Sequence, residues 1–141
     1  MPVPITFTAY GGRLVQDVQS VTVGNNDVVY VHTEVPANKR WVLINIKAVN
    51  PDSVNRAIFI YVYKEVARTN LVVTLVSADI ATTDVVNYPN SVAALYNRNN
   101  SPGLMILRGG NVLSVHWAAG GASAGGTDAD GLVLTYLEYD V

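Results

Sequence analysis

Apolar and β-branched residues recur at every second position along most of this chain, in short runs divided by turn-forming residues. That period is the pleat of a β-strand, whose successive side chains point to opposite faces, and not the 3.6-residue repeat of a helix. It predicts strands at Ile5–Tyr10, Leu14–Val23, Asp27–Thr33, Arg40–Asn50, Arg56–Lys64, Leu71–Ala78, Leu104–Arg108, Asn111–Trp117 and Gly131–Tyr139.

Turn chemistry fills the gaps. Gly11-Gly12 breaks the first run, and Gly24-Asn25-Asn26-Asp27 supplies the positive-φ positions of a tight hairpin. Pro36-Ala37-Asn38-Lys39 predicts a type I turn, with proline presetting φ. Asn50-Pro51-Asp52-Ser53 reads as a loop, and Gly109-Gly110 as the link of a hairpin between Leu104–Arg108 and Asn111–Trp117. Ser91–Asn97 has the composition for one or two helical turns capped by Asn90. No run sustains a helical period over the ~12 residues a stable helix needs.

Alternation also assigns faces. Val42, Ile44, Ile46 and Ala48 are expected to face the core, opposite Trp41, Leu43, Asn45 and Lys47. Leu113, Val115 and Trp117 are expected inside, opposite Val112, Ser114 and His116. The run Ala57–Tyr63 is apolar on both sides, with Ile58, Ile60 and Val62 on one and Phe59, Tyr61 and Tyr63 on the other. A strand of that kind is covered on both faces. The cover for Phe59, Tyr61 and Tyr63 is either the chain's own N-terminal segment or another subunit.

Composition bears on the second of these choices. The 141 residues suit one domain spanning 1–141, with residues 1–12 as an extended N-terminal arm containing Pro2 and Pro4. Ala118–Gly131 (AAGGASAGGTDADG) has nothing to pack and is expected to be a long mobile loop. Hydrophobic residues make up 50% of the chain and charged ones only 14%, against about 25% charged in an ordinary soluble domain. So few charges cover a lone monomer poorly, which predicts a homo-oligomer or a place in a larger assembly. A net charge of −2 without a basic run argues against nucleic acid as a partner. No apolar stretch reaches the ~20 residues that cross a bilayer, so no membrane partner is expected. The opening MPVPITFTAY does not read as a signal peptide, and Asn99-Asn100-Ser101 reads as a chance glycosylation triplet.

Catalytic and metal-binding patterns are not found. The chain has no Cys, which removes disulfides, thiolate metal sites and cysteine nucleophiles. His32 and His116 each stand without a second ligand at metal spacing, and a structural or solvent-facing role is expected. Asp128, Asp130 and Gly131 superficially follow a calcium loop but lack its downstream glutamate, leaving a solvated hairpin loop. Asp17, Asp27, Asp52, Asp79, Asp84, Asp128 and Asp130 sit in or beside turns and polar stretches, where solvation explains them. Gly109-Gly110-Asn111 precedes a strand, not a helix, so it does not cradle phosphate. No cofactor, metal site or enzymatic activity is expected. Eight Tyr, two Trp and two Phe suit core and interface packing, or, on one sheet face, sugar stacking.

The segments VPANKRWVLINIKAVN, RAIFIYVYK, LRGGNVLSVHW and GLVLTYLEYDV, with a Gly/Ala loop before the last, follow one another in a specific order. Over about residues 35–141 this order resembles small β-sandwich virion structural proteins of tailed bacteriophages, capsid decoration proteins most of all. The Gly-Asp turn usual in that pattern stands here as Gly110-Asn111. The resemblance implies a capsid decoration (head-stabilising) protein of the virion, assembled in the host cytoplasm. It implies binding to itself and to a capsid or other virion protein; a trimer is expected, and the two-sided strand makes Phe59, Tyr61 and Tyr63 the expected interface. Tail, neck or fibre-associated proteins share the architecture, and a carbohydrate-binding β-sandwich module is the alternative of another class. The fold class expected is all-β: a single jelly-roll-like antiparallel β-sandwich or barrel of about eight or nine strands.

Overall fold

Val, Ile, Thr and Tyr favour the pleated, half-buried surface of a sheet, and the predicted runs become strands. The computed structural model of the chain describes residues 5–9, 11–25, 27–89, 105–118 and 125–141. Its strands are β1 (Ile5–Ala9), β2 (Gly12–Val23), β3 (Val29–Glu34), β4 (Lys39–Val49), β5 (Arg56–Tyr63), β6 (Leu71–Ile80), β7 (Val85–Tyr88), β8 (Met105–Arg108), β9 (Val112–Trp117) and β10 (Gly126–Asp140). β7 belongs to none of the predicted runs, because a four-residue strand is too short to show a period. Tyr10, Leu104 and the predicted helical turns at Ser91–Asn97 lie outside the described residues.

The strands form two antiparallel sheets. The six-stranded sheet runs β1-β2-β10-β4-β7, with β8 also pairing β4, and the four-stranded sheet runs β3-β9-β5-β6. β7 pairs Ile46–Val49 and β8 pairs Arg40–Leu43, so the two share one side of β4 end to end. Without β1 and β8, the pairs β2/β10, β3/β9, β4/β7 and β5/β6 are those of a long hairpin wound back on itself. That winding is a jelly roll. The sheets stay open, so the fold is a sandwich and not a closed barrel.

This winding separates neighbours in sequence. The Gly24–Asp27 turn closes with Asp27 N–H donating to Gly24 O at 3.3 Å, yet β2 and β3 lie in different sheets and form no hairpin. The Gly109-Gly110 turn likewise closes, with Gly110 at φ +89°, where an L side chain would be strained. β8 and β9 nevertheless part into different sheets, correcting the predicted hairpin. Turn residues specify a reversal of direction. Which sheet receives the next strand depends on where its apolar face finds cover.

The core lies between the sheets. Ile58, Ile60 and Val62 from β5 and Leu113, Val115 and Trp117 from β9 meet Leu43, Ile46 and Ala48 from β4 and Leu132 and Leu134 from β10. The expected inner faces of β5 and β9 are therefore correct. On β4 the expectation holds only for Ile46 and Ala48. Trp41 and Leu43 are buried and Ile44 is exposed, the reverse of the alternation. The cause is a bulge: β10 pairs Thr135 with Asn45 but Tyr136 with Leu43, leaving Ile44 as an extra residue. One inserted residue exchanges the two faces of everything beyond it.

Two irregular predictions are also corrected. Gly126–Gly131, expected in a mobile loop, belongs to β10, where Gly126, Thr127 and Asp128 pair with Val23, Thr22 and Val21. A Cβ on Gly126 would sit 1.8 Å from Pro51 O, so the small residue permits a close approach of backbones. Residues 119–124 of that loop lie outside the described residues. Ile5–Ala9 is extended, as an arm would be, but it pairs with β2 at the edge of the six-stranded sheet.

Candidate functional site: the ring-lined outer face

With alternate residues turned inward, odd-numbered on β3 and β9 and even-numbered on β5, the outward residues of these strands form a grid. Tyr30 and Phe59 flank His116 across the strands, and His32 and Tyr61 flank Ser114. Six rings run in sequence over this surface. His32 lies 5.7 Å from Tyr30, Tyr30 4.4 Å from His116, and His116 5.4 Å from Phe59. Phe59 stacks on Tyr61 at 5.8 Å and Tyr61 tilts against Tyr63 at 5.9 Å. Phe59, Tyr61 and Tyr63 thus stand together and half-buried, as one end of a longer strip. Their cover is not β1, which pairs in the other sheet. The rings cover one another, and offset contacts of this spacing are favourable in themselves.

Both histidines, read singly in the sequence, belong to this strip. Burial pushes the His116 imidazole below its ordinary value, and burial together with the nearby Arg68 charge does the same for His32. His32 Nδ1 and Ser114 Oγ are hydrogen-bonded at 2.8 Å. Burial, helped by the Tyr63 and Tyr30 hydroxyls, raises the Tyr61 phenol.

At the open end of the strip the β5–β6 loop leans over a cleft of about 310 Å³ lined by Tyr30, His32, Tyr63, Ala67, Arg68 and Ser114. The loop is tied by Glu65. Its carboxylate accepts from Thr69 N–H at 2.8 Å, Thr69 Oγ1 at 2.9 Å, Asn70 N–H at 2.9 Å and Asn70 Nδ2 at 3.0 Å. These bonds, those from Asn70 foremost, hold the Glu65 carboxyl down at about 2. Arg68 was not singled out by sequence reasoning. The sequence shows only an arginine between two strand runs, and its left-handed φ of +56° emerges in the fold.

The outer face of the six-stranded sheet is different in character. Leu14, Leu137, Val42 and Ile106 lie in register across β2, β10, β4 and β8. Their chain neighbours Val15, Tyr136, Trp41, Leu43 and Leu107 are in the core, so these four point outward. Ile106 is 53% exposed, and Ile44 joins it at the surface. The next row holds Tyr139, Arg40 and Arg108, with the two arginines directly opposite each other. A second cleft, about 270 Å³, opens there among Ala37, Lys39, Arg40, Arg108, Gly109 and Val141.

One acidic residue departs from the expected solvation. Asp27, Asp79, Asp84 and Asp130 are exposed, but Asp52 is buried, and its Oδ2 accepts from Nε of buried Arg56 at 2.6 Å. This pair and Asn50 tie four loops together at one end of the sandwich. Asp128 Oδ1 accepts from Asp130 N–H at 2.8 Å, closing the bulge in β10. Among the described residues, no three His, Asp or Glu side chains converge as metal ligands would.

Fold and surface together define an antiparallel jelly-roll sandwich with a ring-lined outer face on one sheet and an aliphatic row on the other. Compared with protein-family models, with curated proteins and with solved structures, the chain matches none.

Proposed function

We propose that this protein is a structural component of a virion, a capsid decoration protein that self-associates, as a trimer, and binds the capsid lattice. The observation that carries the assembly part is the row Leu14–Leu137–Val42–Ile106, aliphatic across four strands, with Ile106 exposed and the other three part-buried on the outer face. Each square ångström of it removed from water is worth roughly 25 cal/mol before the costs of association. The facing Arg40 and Arg108 support the same reading, because like charges opposite each other destabilise a sheet until an acidic neighbour sits between them. The virion assignment rests on the resemblance of residues 35–141 to phage β-sandwich proteins. The jelly-roll winding, a form found in viral capsid and lectin domains, is compatible with it.

Solution mass tests the first part. The wild-type chain is expected to run as a multimer at micromolar concentration, and Val42→Lys with Ile106→Lys as a folded monomer. A wild-type monomer ends the assembly reading. Adding the protein to capsids that lack it tests the second part, with saturable rebinding expected.

A further inference from the structure

The cleft at the end of the ring strip holds a cation, Arg68, that no carboxylate among the described residues pairs. Arg68 follows a tight turn, its N–H donating to Glu65 O at 2.9 Å, and takes the left-handed position that glycine usually occupies. Holding an arginine there is a local strain. The loop's own carboxylate is occupied, since Glu65 accepts four bonds from Thr69 and Asn70. Among the described residues Arg68 forms no ion pair, and its one recorded side-chain bond runs from Nη1 to Val66 O at 3.2 Å. Most of the donor fork is left for a ligand, and a guanidinium matches a carboxylate through two parallel bonds.

The rest of the cleft describes what carries that carboxylate. Tyr30, 56% exposed, and Tyr63 supply ring surface with hydroxyl tips. His32 and Ser114 supply a polar floor. The volume, about 310 Å³, lies at the lower end of small-molecule sites. An Asp or Glu side chain of a protein partner would fill only a small part of it. A pyranose has an apolar C–H face, a hydroxyl rim and, in an acidic sugar, one carboxylate.

We propose that the cleft between the β5–β6 loop and the outer face of the four-stranded sheet binds an acidic sugar. Arg68 engages the carboxylate, and Tyr30 and Tyr63 bound the ring. The site is on the opposite sheet from the aliphatic row, so it stands independently of the assembly reading.

The test titrates the full chain with trigalacturonate and 3′-sialyllactose, against the trimethyl ester and lactose as neutral counterparts. Acetate and a glutamate-rich peptide report a bare anion site and a protein partner. At least one acidic sugar is expected to bind about tenfold tighter than its neutral counterpart, with Arg68→Gln removing that preference. Arg68→Gly separates a ligand role from a structural one. It should raise the melting temperature by about 3 °C, by relieving the backbone, while losing the acidic sugar. Neither sugar binding, equal binding of acidic and neutral forms, acetate or peptide binding as well as the sugars, or an unaffected Arg68→Gln would each overturn the proposal. Solution mass, unchanged by Arg68→Gln, keeps this outcome separate from that of self-association.

Discussion

Arg56 and Asp52 are the most enclosed charged groups among the described residues. Both side chains are fully shielded from solvent. Arg56 Nη1 donates to Asp27 O and to Ala118 O at 2.9 Å, and Nη2 donates to Gly24 O at 2.7 Å. Nearby, Asn50 Nδ2 donates to Val54 O at 2.9 Å and Ile80 O at 2.8 Å. Removing one member of a buried pair leaves the other unanswered. Asp52→Ala is therefore expected to cost about 3–5 kcal/mol in urea unfolding. Asp52→Leu combined with Arg56→Met should cost clearly less than the sum of the single changes, a coupling read from the double-mutant cycle. The histidines set a pH dependence. Both imidazoles are pushed below 6.5 by burial, so the unfolded chain binds more protons than the folded one just below that pH. The histidine contribution to stability is expected to be flat between about pH 7.5 and 9 and to fall as the pH drops through 6.5 toward the lowered folded values. His116→Gln should shallow that fall in melting scans. Asp52 was legible only as a turn residue, because the sequence does not state that Arg56, Gly24, Asp27 and Ala118 converge on one point.

β4 carries the lesson at the scale of an element. The alternation Val42, Ile44, Ile46, Ala48 is unbroken in the sequence, and only its second half faces the core. The bulge at Ile44 turns Trp41 inward, where it stacks on Tyr136 at 4.0 Å and donates from Nε1 to Glu138 Oε2 at 2.9 Å. The opposite assignment of faces makes opposite mutational predictions. Leu43→Ala is expected to cost about 2–5 kcal/mol, as for a fully buried leucine. Ile44→Thr should stay within about 0.5 kcal/mol, as for a surface change. Chemical denaturation of the two variants decides between the bulged register and a regular one. β9 needed no such correction, since its partners β3 and β5 keep register along its whole length.

For the whole molecule, the winding decides which surfaces remain outside. The core takes one face of every central strand, and a chain with 50% hydrophobic residues still has apolar side chains left over. Some stand singly, such as Val18, Val28, Leu71 and Val72, and others are grouped. Val42 and Ile106 align on one sheet with Leu14 and Leu137, and the rings align on the other. If the aliphatic row is buried between copies, the melting temperature should rise with protein concentration, by mass action. The Val42→Lys, Ile106→Lys variant should melt at a temperature independent of concentration. Calorimetry over a hundredfold range of concentration provides the measurement.

Most strand positions (not β7 or the start of β10), the inner faces of β5 and β9 and the close association of Phe59, Tyr61 and Tyr63 were readable from residue types, because the period of the pleat is local. The jelly-roll pairing, the phase of β4, the burial of Asp52, the stacking of His116 on Tyr30 and the approach of Arg68 to His32 were decided only by tertiary structure. Each depends on contacts between residues far apart in the chain, where a bulge or a change of sheet redirects every side chain that follows while leaving the local pattern untouched.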